Sequence, residues 1–418
     1  MPILPAEALT FQMPAMVRVR QKFDAAEIPD VEKGVSAEIG RPDIGGLIKP
    51  GSRVAIAVGS RGISNLDSIV KVLGARLKDL GAQPFIVPAM GSHGGGTAEG
   101  QRAVLASLGI TQQAVAMPVV ASMEVVPLGQ TGNAVPVYMD KNAYQADLTV
   151  LVARVKPHTD FKGEFESGLC KMMAIGLGKH LGCSRLHQEG FDSFPALIPE
   201  VAKVFLERAN IAFGLAIVEN AYDKTCLIKA VRASEFLAEE PGLLAAAKQR
   251  MPRIMVPAID VLIVEQIGKD ISGAGMDPNI IGRTTKGKLP GFAGPSIQRI
   301  VVLDLTEATH GNACGIGLAD FVTRTAFAKL DYLSTYANVI ASANPEAGRI
   351  PVILDSELEA VAAAVRCCSR IDSSCPRLVR IKDTLHLEDL WVSENLCPEI
   401  AGNADIEILG DAPAAGPR

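Results

Sequence analysis

The strongest constraint in this chain is a repeated order: a short apolar run, a glycine-rich polar loop, then an amphipathic helix. Val54–Val58 is such a run. GSRGISN follows from Gly59 to Asn65, and an apolar stripe at Ile69, Val70, Val72, Leu73 and Leu77 predicts a helix over about Leu66 to Leu80, stopped by Gly81. The order returns with a strand at Pro84–Val87, the loop GSHGGGT from Gly91 to Thr97, and a helix near Ala98–Leu108. A third run, Leu148–Val152, enters a glycine- and charge-rich segment from Lys156 to Gly190, with a helix expected through Pro199–Arg208. Strands that alternate with helices pair in parallel. Loops after their carboxyl ends gather on one sheet edge, where ligands bind, so these three loops are candidates for one site.

The pattern restarts near Ile259. A strand is predicted at Asp260–Glu265, then the loop Gly268 to Arg283, a strand at Ile300–Leu303, the segment THGNACGIG from Thr309, and helices near Leu318–Lys329 and Ser356–Cys368. Two prolines between Met251 and Ala258 interrupt the pattern. The expected fold class is α/β: two α/β domains with mostly parallel sheets, at 1–255 and 256–400, and an active-site cleft between them. A tail is expected over 401–418, fraying from Gly410 onward.

Composition narrows the function classes. Net charge is −5 and aromatics are 5% of 418 residues, so the chain lacks the basic footprint and stacking platforms of a nucleic-acid binder. No uncharged apolar run reaches membrane-spanning length. The opening MPILPAEALTFQMP has no basic segment of a secretion signal. Eight scattered cysteines read as reduced cytosolic thiols, and Cys367, Cys368 and Cys375 lack a paired CxxC spacing. The expectation is a cytoplasmic protein with no nucleic-acid or membrane partner, compatible with a homo-oligomer.

Chemistry concentrates at histidines. Of six, His93, His158, His180, His187 and His310 fall in glycine-rich or polar segments, and imidazole trades protons near neutral pH. His93 lies among glycines, Gly94 and Gly95 included, that let main chain approach a ligand or simply permit a turn. Arg61 and Ser60 follow a strand; they read as an anion clamp at a helix start, or as a surface arginine beside a capping Asn65. Lys171 is flanked by Cys170, Met172 and Met173. An apolar setting would make its amine nucleophilic; otherwise it is an ordinary snorkelling lysine. Gln266, Lys269, Asp277, Asn279 and Arg283 form a polar set suited to closing over an acid, or a turn-rich loop. His386 and Trp391 read as structural.

In this order the segments resemble the lactate racemase family, whose members use a nickel-pincer nucleotide. The resemblance rests on GSH with His93, on PHTDFKGEFESG with His158, on Lys171 at the end of that segment, and on His187 sixteen positions later. It implies a thioamide link from the cofactor to Lys171, nickel held by His187 rather than His180, and His93 and His158 as the acid–base pair. Of the early loop it carries over only Arg61, for the substrate carboxylate or a cofactor phosphate; the loops themselves suggest Ser60, Gly94 and Gly95 as further cofactor contacts, and Gln266 and Lys269, or Arg283, as substrate contacts. The reaction implied is racemisation or epimerisation of a 2-hydroxy acid by reversible hydride transfer, and the partners are that substrate and the enzymes that make the cofactor. The chain departs from the family in three places. The stretch from His158 to Lys171 is longer, Val58 stands where the family has an aspartate, and Gly282 stands where it has the substrate-closing glutamine. Lys162, Glu164 and Glu166 in the longer stretch suggest a more hydroxylated substrate, such as a sugar acid. Two other readings use the same residues: a cofactor-free Schiff-base lyase or aldolase on Lys171, and a nucleotide- or metal-sensing module without turnover.

Overall fold

A computed structural model describes residues 10–60, 62–285, 287, 291 and 294–411. The chain divides into two compact units. Asp24–Met251 forms one, and the residues up to Phe23 join those from Pro252 onward in the other. The division departs from the expected 1–255 and 256–400, because the first strand, β1 (Met16–Gln21), pairs within the second unit.

The unit 24–251 is built on a five-stranded sheet. Its strands are β2 (Arg53–Val58), β3 (Gln83–Pro88), β6 (Leu148–Arg154), β7 (Ile211–Glu219) and β8 (Thr225–Arg232), in the order β3-β2-β6-β7-β8. All neighbours are parallel except β8, which runs antiparallel to β7. The hairpin of β4 (Val125–Gln130) and β5 (Pro136–Asp140) stands apart from it. Side chains alternate between two cores, as a strand period of two requires. Val54, Ile56 and Val58 face one core with α1 (Val31–Gly40) and α2 (Leu66–Asp79). Ala55 and Ala57 face the other. α3 (Ala98–Ser107), which borders the site, packs Leu105 into the first core, while α4 (Lys179–His187) and the core-forming helices α5 (Phe194–Arg208) and α6 (Phe236–Arg250) lie on the second side.

Helix α5 starts five residues before the expected Pro199, because Pro195 sits in its first turn, where its fixed φ costs nothing. Asn65 stands at the N-cap of α2 but is left-handed, φ 60°, and its side chain makes no capping hydrogen bond.

The second unit has an eight-stranded sheet. It adds β9 (Ala258–Ile267), β10 (Ser296–Leu305), β11 (Phe321–Thr323), β12 (Val352–Leu354), β13 (Leu378–Ile381), β14 (Asp389–Ser393) and β15 (Ile406–Asp411) to β1. The order is β12-β11-β10-β9-β13-β14-β1-β15, parallel from β12 to β13 and antiparallel beyond. Two expectations are corrected here. The helix over Leu318–Lys329 is instead the strand β11 and a short helix Arg324–Ala328, since Phe321 and Val322 pair with β10. Within the expected tail, Ile406–Asp411 is an edge strand paired with β1; residues 412–418 lie outside the described residues. Among the described residues no helix is long and apolar enough to cross a membrane.

Trp391, the single tryptophan, lies in β14 opposite Arg18 of β1. Deleting residues 1–23 leaves β14 an open edge and removes the partner of β15. The expected result is a red-shifted Trp391 emission and a lower urea midpoint by fluorescence, with hydrogen exchange in β2, β3 and β6 unchanged. Equal loss of protection in both units would contradict this division.

Candidate functional site

The carboxyl ends of β2, β3 and β6 supply the loops that carry Ser60, His93 and His158. In the sheet order, β2 has β3 on one side and β6 on the other. The crevice over β2 and β6 is therefore the switch point at which doubly wound sheets bind ligands. The Ser60 hydroxyl and His93 Nδ1 share a short hydrogen bond, which fixes the ring and turns Nε2 away from Ser60. Gly91, Gly94 and Gly95 are all left-handed, with φ of 60–66°. A Cβ on Gly94 would come 2.5 Å from Gln101 N, while one on Gly95 would meet nothing within 4 Å. Gly94 thus permits close packing on α3, and Gly95 leaves open space beside His93.

The segment after β6 folds around a buried carboxylate. Glu166 accepts from the His158 amide at 2.7 Å and pairs with Lys162 at 3.2 Å and Lys248 of α6 at 2.6 Å. Lys162 also donates to His158 O. Glu166 and Lys162 are thus structural clasps of this loop, and they no longer support a sugar acid as substrate. His158 Nδ1 accepts the Asp160 amide at 3.0 Å, so the neutral ring carries its proton on Nε2. Its ring stacks on Phe161 at 4.3 Å.

Lys171 ends a helical turn, Leu169–Lys171, that continues as the π-helical Met172–Leu177 before α4 begins. Glu240 of α6 sits at the start of that turn. Its Oε2 accepts the Cys170 amide at 2.9 Å, and Oε1 is buried with no hydrogen-bond partner among the described residues. A Cβ on Gly168 would fall 2.5 Å from Oε1.

His187, at the end of α4, is half-buried. Its Nδ1 lies 2.7 Å from Cys183 O and 3.5 Å from Cys183 Sγ. One N–H cannot serve both equally, and the shorter contact sets the tautomer, leaving the Nε2 lone pair outward. That is how a metal-binding imidazole is commonly oriented. Burial draws the His187 pKa down, and the charge of Lys171 adds to this. Cys183 outweighs both, and the net shift is upward. The two residues are therefore electrostatic neighbours. His180, by contrast, is exposed and packs beside Gly96.

An aromatic cluster joins the histidines. Phe194 lies 5.3 Å from both Phe161 and His187, and Phe191 lies 5.3 Å from His187 and 6.1 Å from His158. Sequence reasoning missed these phenylalanines, together with Cys183 and Glu240. The available signal was a run of Phe among histidines in an aromatic-poor chain.

The unit 24–251 thus brings together Ser60, His93, Gly94, Gly95, His158, Lys171 and His187. Arg61 lies outside the described residues. Gln266, Lys269 and Arg283 belong to the other unit. There, Lys269 Nζ donates to Gly273 O and Asn338 Oδ1 at the carboxyl end of β9. Arg283 is held by Asp320, Ile297 O and Gln298 O at the amino end of β10, so the structure places it away from Gln266 and Lys269. Gln266 ends β9 half-buried, with no side-chain hydrogen bond among the described residues. Among the described residues no three His, Cys, Asp or Glu side chains converge as a metal site.

Residues 8–194 match the family described as lactate racemase N-terminal domain. The solved lactate racemase apoprotein from Thermoanaerobacterium thermosaccharolyticum is similar at 13% identity over 69% of this chain and 74% of that one, with a TM-score of 0.45. No curated protein matches.

Burial pushes the Glu240 carboxyl up to about 7, against the Cys170 amide that pulls it down. Its folded pKa lies above its unfolded value near 4.5. Stability from this group is therefore greatest below pH 4.5 and falls as pH rises to about 7, by roughly 3 kcal/mol. Glu240→Gln should gain on the parent protein by about that amount between pH 4.5 and 8, read from urea unfolding of the unit 24–251. A pH-independent difference would show that Glu240 ionises normally.

Proposed function

We propose that this chain, whose residues 8–194 belong to the lactate racemase family, inverts the α-carbon of a 2-hydroxy acid with the help of a nickel-pincer nucleotide. One observation carries the reading most: Lys171 and His187, sixteen positions apart, are electrostatic neighbours, and the Nδ1 bond of His187 turns its Nε2 outward. A half-buried amine in electrostatic reach of an imidazole whose Nε2 keeps its lone pair fits a cofactor anchored at Lys171 whose metal is held by His187.

When bound, this cofactor supplies a hydride acceptor, which lets hydrogen leave a weakly acidic carbon without a carbanion. The chain's own residues move the hydroxyl proton. His158, with Nδ1 occupied by the Asp160 amide, presents Nε2–H to the substrate hydroxyl as a hydrogen-bond donor. To give that proton up the ring would first gain one at Nδ1, trading the Asp160 amide for Asp160 Oδ2, 3.6 Å away. His93, with Nδ1 bonded to Ser60, presents Nε2 as the partner for the opposite enantiomer. The aromatic cluster keeps water from the ring faces of His158 and His187. Arg61 would hold the substrate carboxylate or a cofactor phosphate.

The test is protein co-produced with the cofactor-making enzymes, examined by intact mass, nickel content and turnover of 2-hydroxy acids. His187→Ala should keep a mass adduct at Lys171 and lose nickel; Lys171→Ala should lose both. His93→Asn and His158→Asn should keep both and lose racemisation by roughly 10²–10⁴-fold. A substrate deuterated at C2 should keep its deuterium through inversion. Solvent hydrogen at C2, or borohydride trapping of substrate on Lys171 in metal-free protein, would replace this mechanism with carbanion or Schiff-base chemistry.

A further inference from the structure

Lys179 has no part in that chemistry, yet its side chain is fully buried. Its backbone is left-handed, φ 55°, a conformation L side chains rarely adopt. A solvated surface lysine would need neither feature. Its Nζ donates to Pro88 O at 2.8 Å and to Gln101 Oε1 at 2.7 Å, and Asp140 Oδ2 lies 3.5 Å away. Asp140 is equally buried, and its other oxygen accepts the Ala143 amide at the end of β5.

Gln101, also fully buried, completes the brace. Its Nε2 donates to Gly91 O at 2.8 Å and to His93 O at 3.3 Å. The two side chains in series therefore grip Pro88 where β3 ends, and Gly91 and His93 in the loop that follows. A further bond runs from Gly91 N to Gly176 O in the π-helical stretch after Lys171. Cys183 Sγ lies 3.1 Å from where a Gly91 Cβ would sit. The loop of His93 is thus held to the helical segment of Lys171 and His187 by buried polar contacts. Replacing such contacts by apolar packing often costs little stability, so their persistence points to register.

We propose that Lys179 and Gln101 are positioning residues that hold the His93 loop in register with the segment carrying Lys171 and His187. As a statement about catalysis this rests on the racemase reading; as a statement about the His93 ring it does not. Misplacing a reacting group by about 1 Å can cost on the order of 100-fold in rate, so a brace of this kind would show in kcat rather than KM.

Lys179→Met strands Asp140 in the core and risks unfolding, so the deciding variant is Gln101→Glu. It keeps an acceptor for Lys179 and removes both donors to Gly91 O and His93 O. In cofactor-free protein, long-range ¹⁵N spectra of labelled histidines report the proton position and titration of each ring. The expected result is a changed Nδ1 signal and a shifted midpoint for His93, with His158 and His187 unmoved and the protein still folded, though with a lower unfolding temperature because a carboxylate oxygen now faces two carbonyls. In cofactor-loaded protein, kcat should fall roughly 10–100-fold with KM within about threefold. Gln101→Met, which removes donors and acceptor together, should reproduce the His93 change. An unaltered His93 spectrum in both variants would overturn the proposal. So would a common shift of all three histidines, which would show a merely structural role. A His93 change without any racemisation in the loaded parent protein would leave the brace standing and fail the racemase reading instead.

Discussion

A continuous α-helix would hold Lys171 and His187 beyond each other's electrostatic reach. Sixteen residues at 1.5 Å and about 100° each would separate them by about 24 Å along the axis and turn them about 160° apart around it. The chain escapes this geometry by leaving the α-helix twice. Met172–Leu177 widens into a π-helix, a form frequent at functional sites, and Lys179 then takes a left-handed conformation that restarts the chain as α4. The positions of His187, of the Phe191–Phe194 aromatic group and of the Gly91–His93 loop all follow from that break. Its strain is met by the buried hydrogen bonds of Lys179, so the residue that bends the chain is also the one that fastens it.

Buried carboxylates recur as fasteners throughout the unit 24–251. Glu166 closes the loop of His158, Glu240 caps the turn of Lys171, and Asp140 faces Lys179. Each lies at low dielectric, where a hydrogen bond is stronger and an unmet group more costly. The first two tie catalytic candidates to α6, and the third ties the positioning Lys179 to β5.

Local pattern made β2, β3, β6 and the helix α2 legible, because a buried parallel strand is an apolar run and an amphipathic helix is a stripe. It also located His93, His158, Lys171 and His187 as candidates. What escaped it depended on distant partners. Phe321 and Val322 fit a helical stripe until β10 offers them a ladder. IEILGD reads as tail until β1 lies beside it. Glu166 and Lys162 look like groups for a polar ligand until Lys248, some eighty residues later, takes the other carboxylate oxygen. The aromatic cluster was hidden because Phe161, Phe191 and Phe194 meet only after the π-helical stretch turns the chain.

The placement of β1 between β14 and β15 sets an order on folding during synthesis. The unit 24–251 uses a continuous stretch of chain and is able to form as soon as that stretch has emerged from the ribosome. The other sheet cannot be completed until β14 and β15 arrive, so β1, made well before either, must wait unpaired. At ordinary elongation rates the wait is on the order of twenty to eighty seconds. Arg18 and Arg20, each destined to meet Asp389, put two positive charges on that waiting strand, and like charges on neighbouring nascent chains discourage it from pairing with the wrong partner.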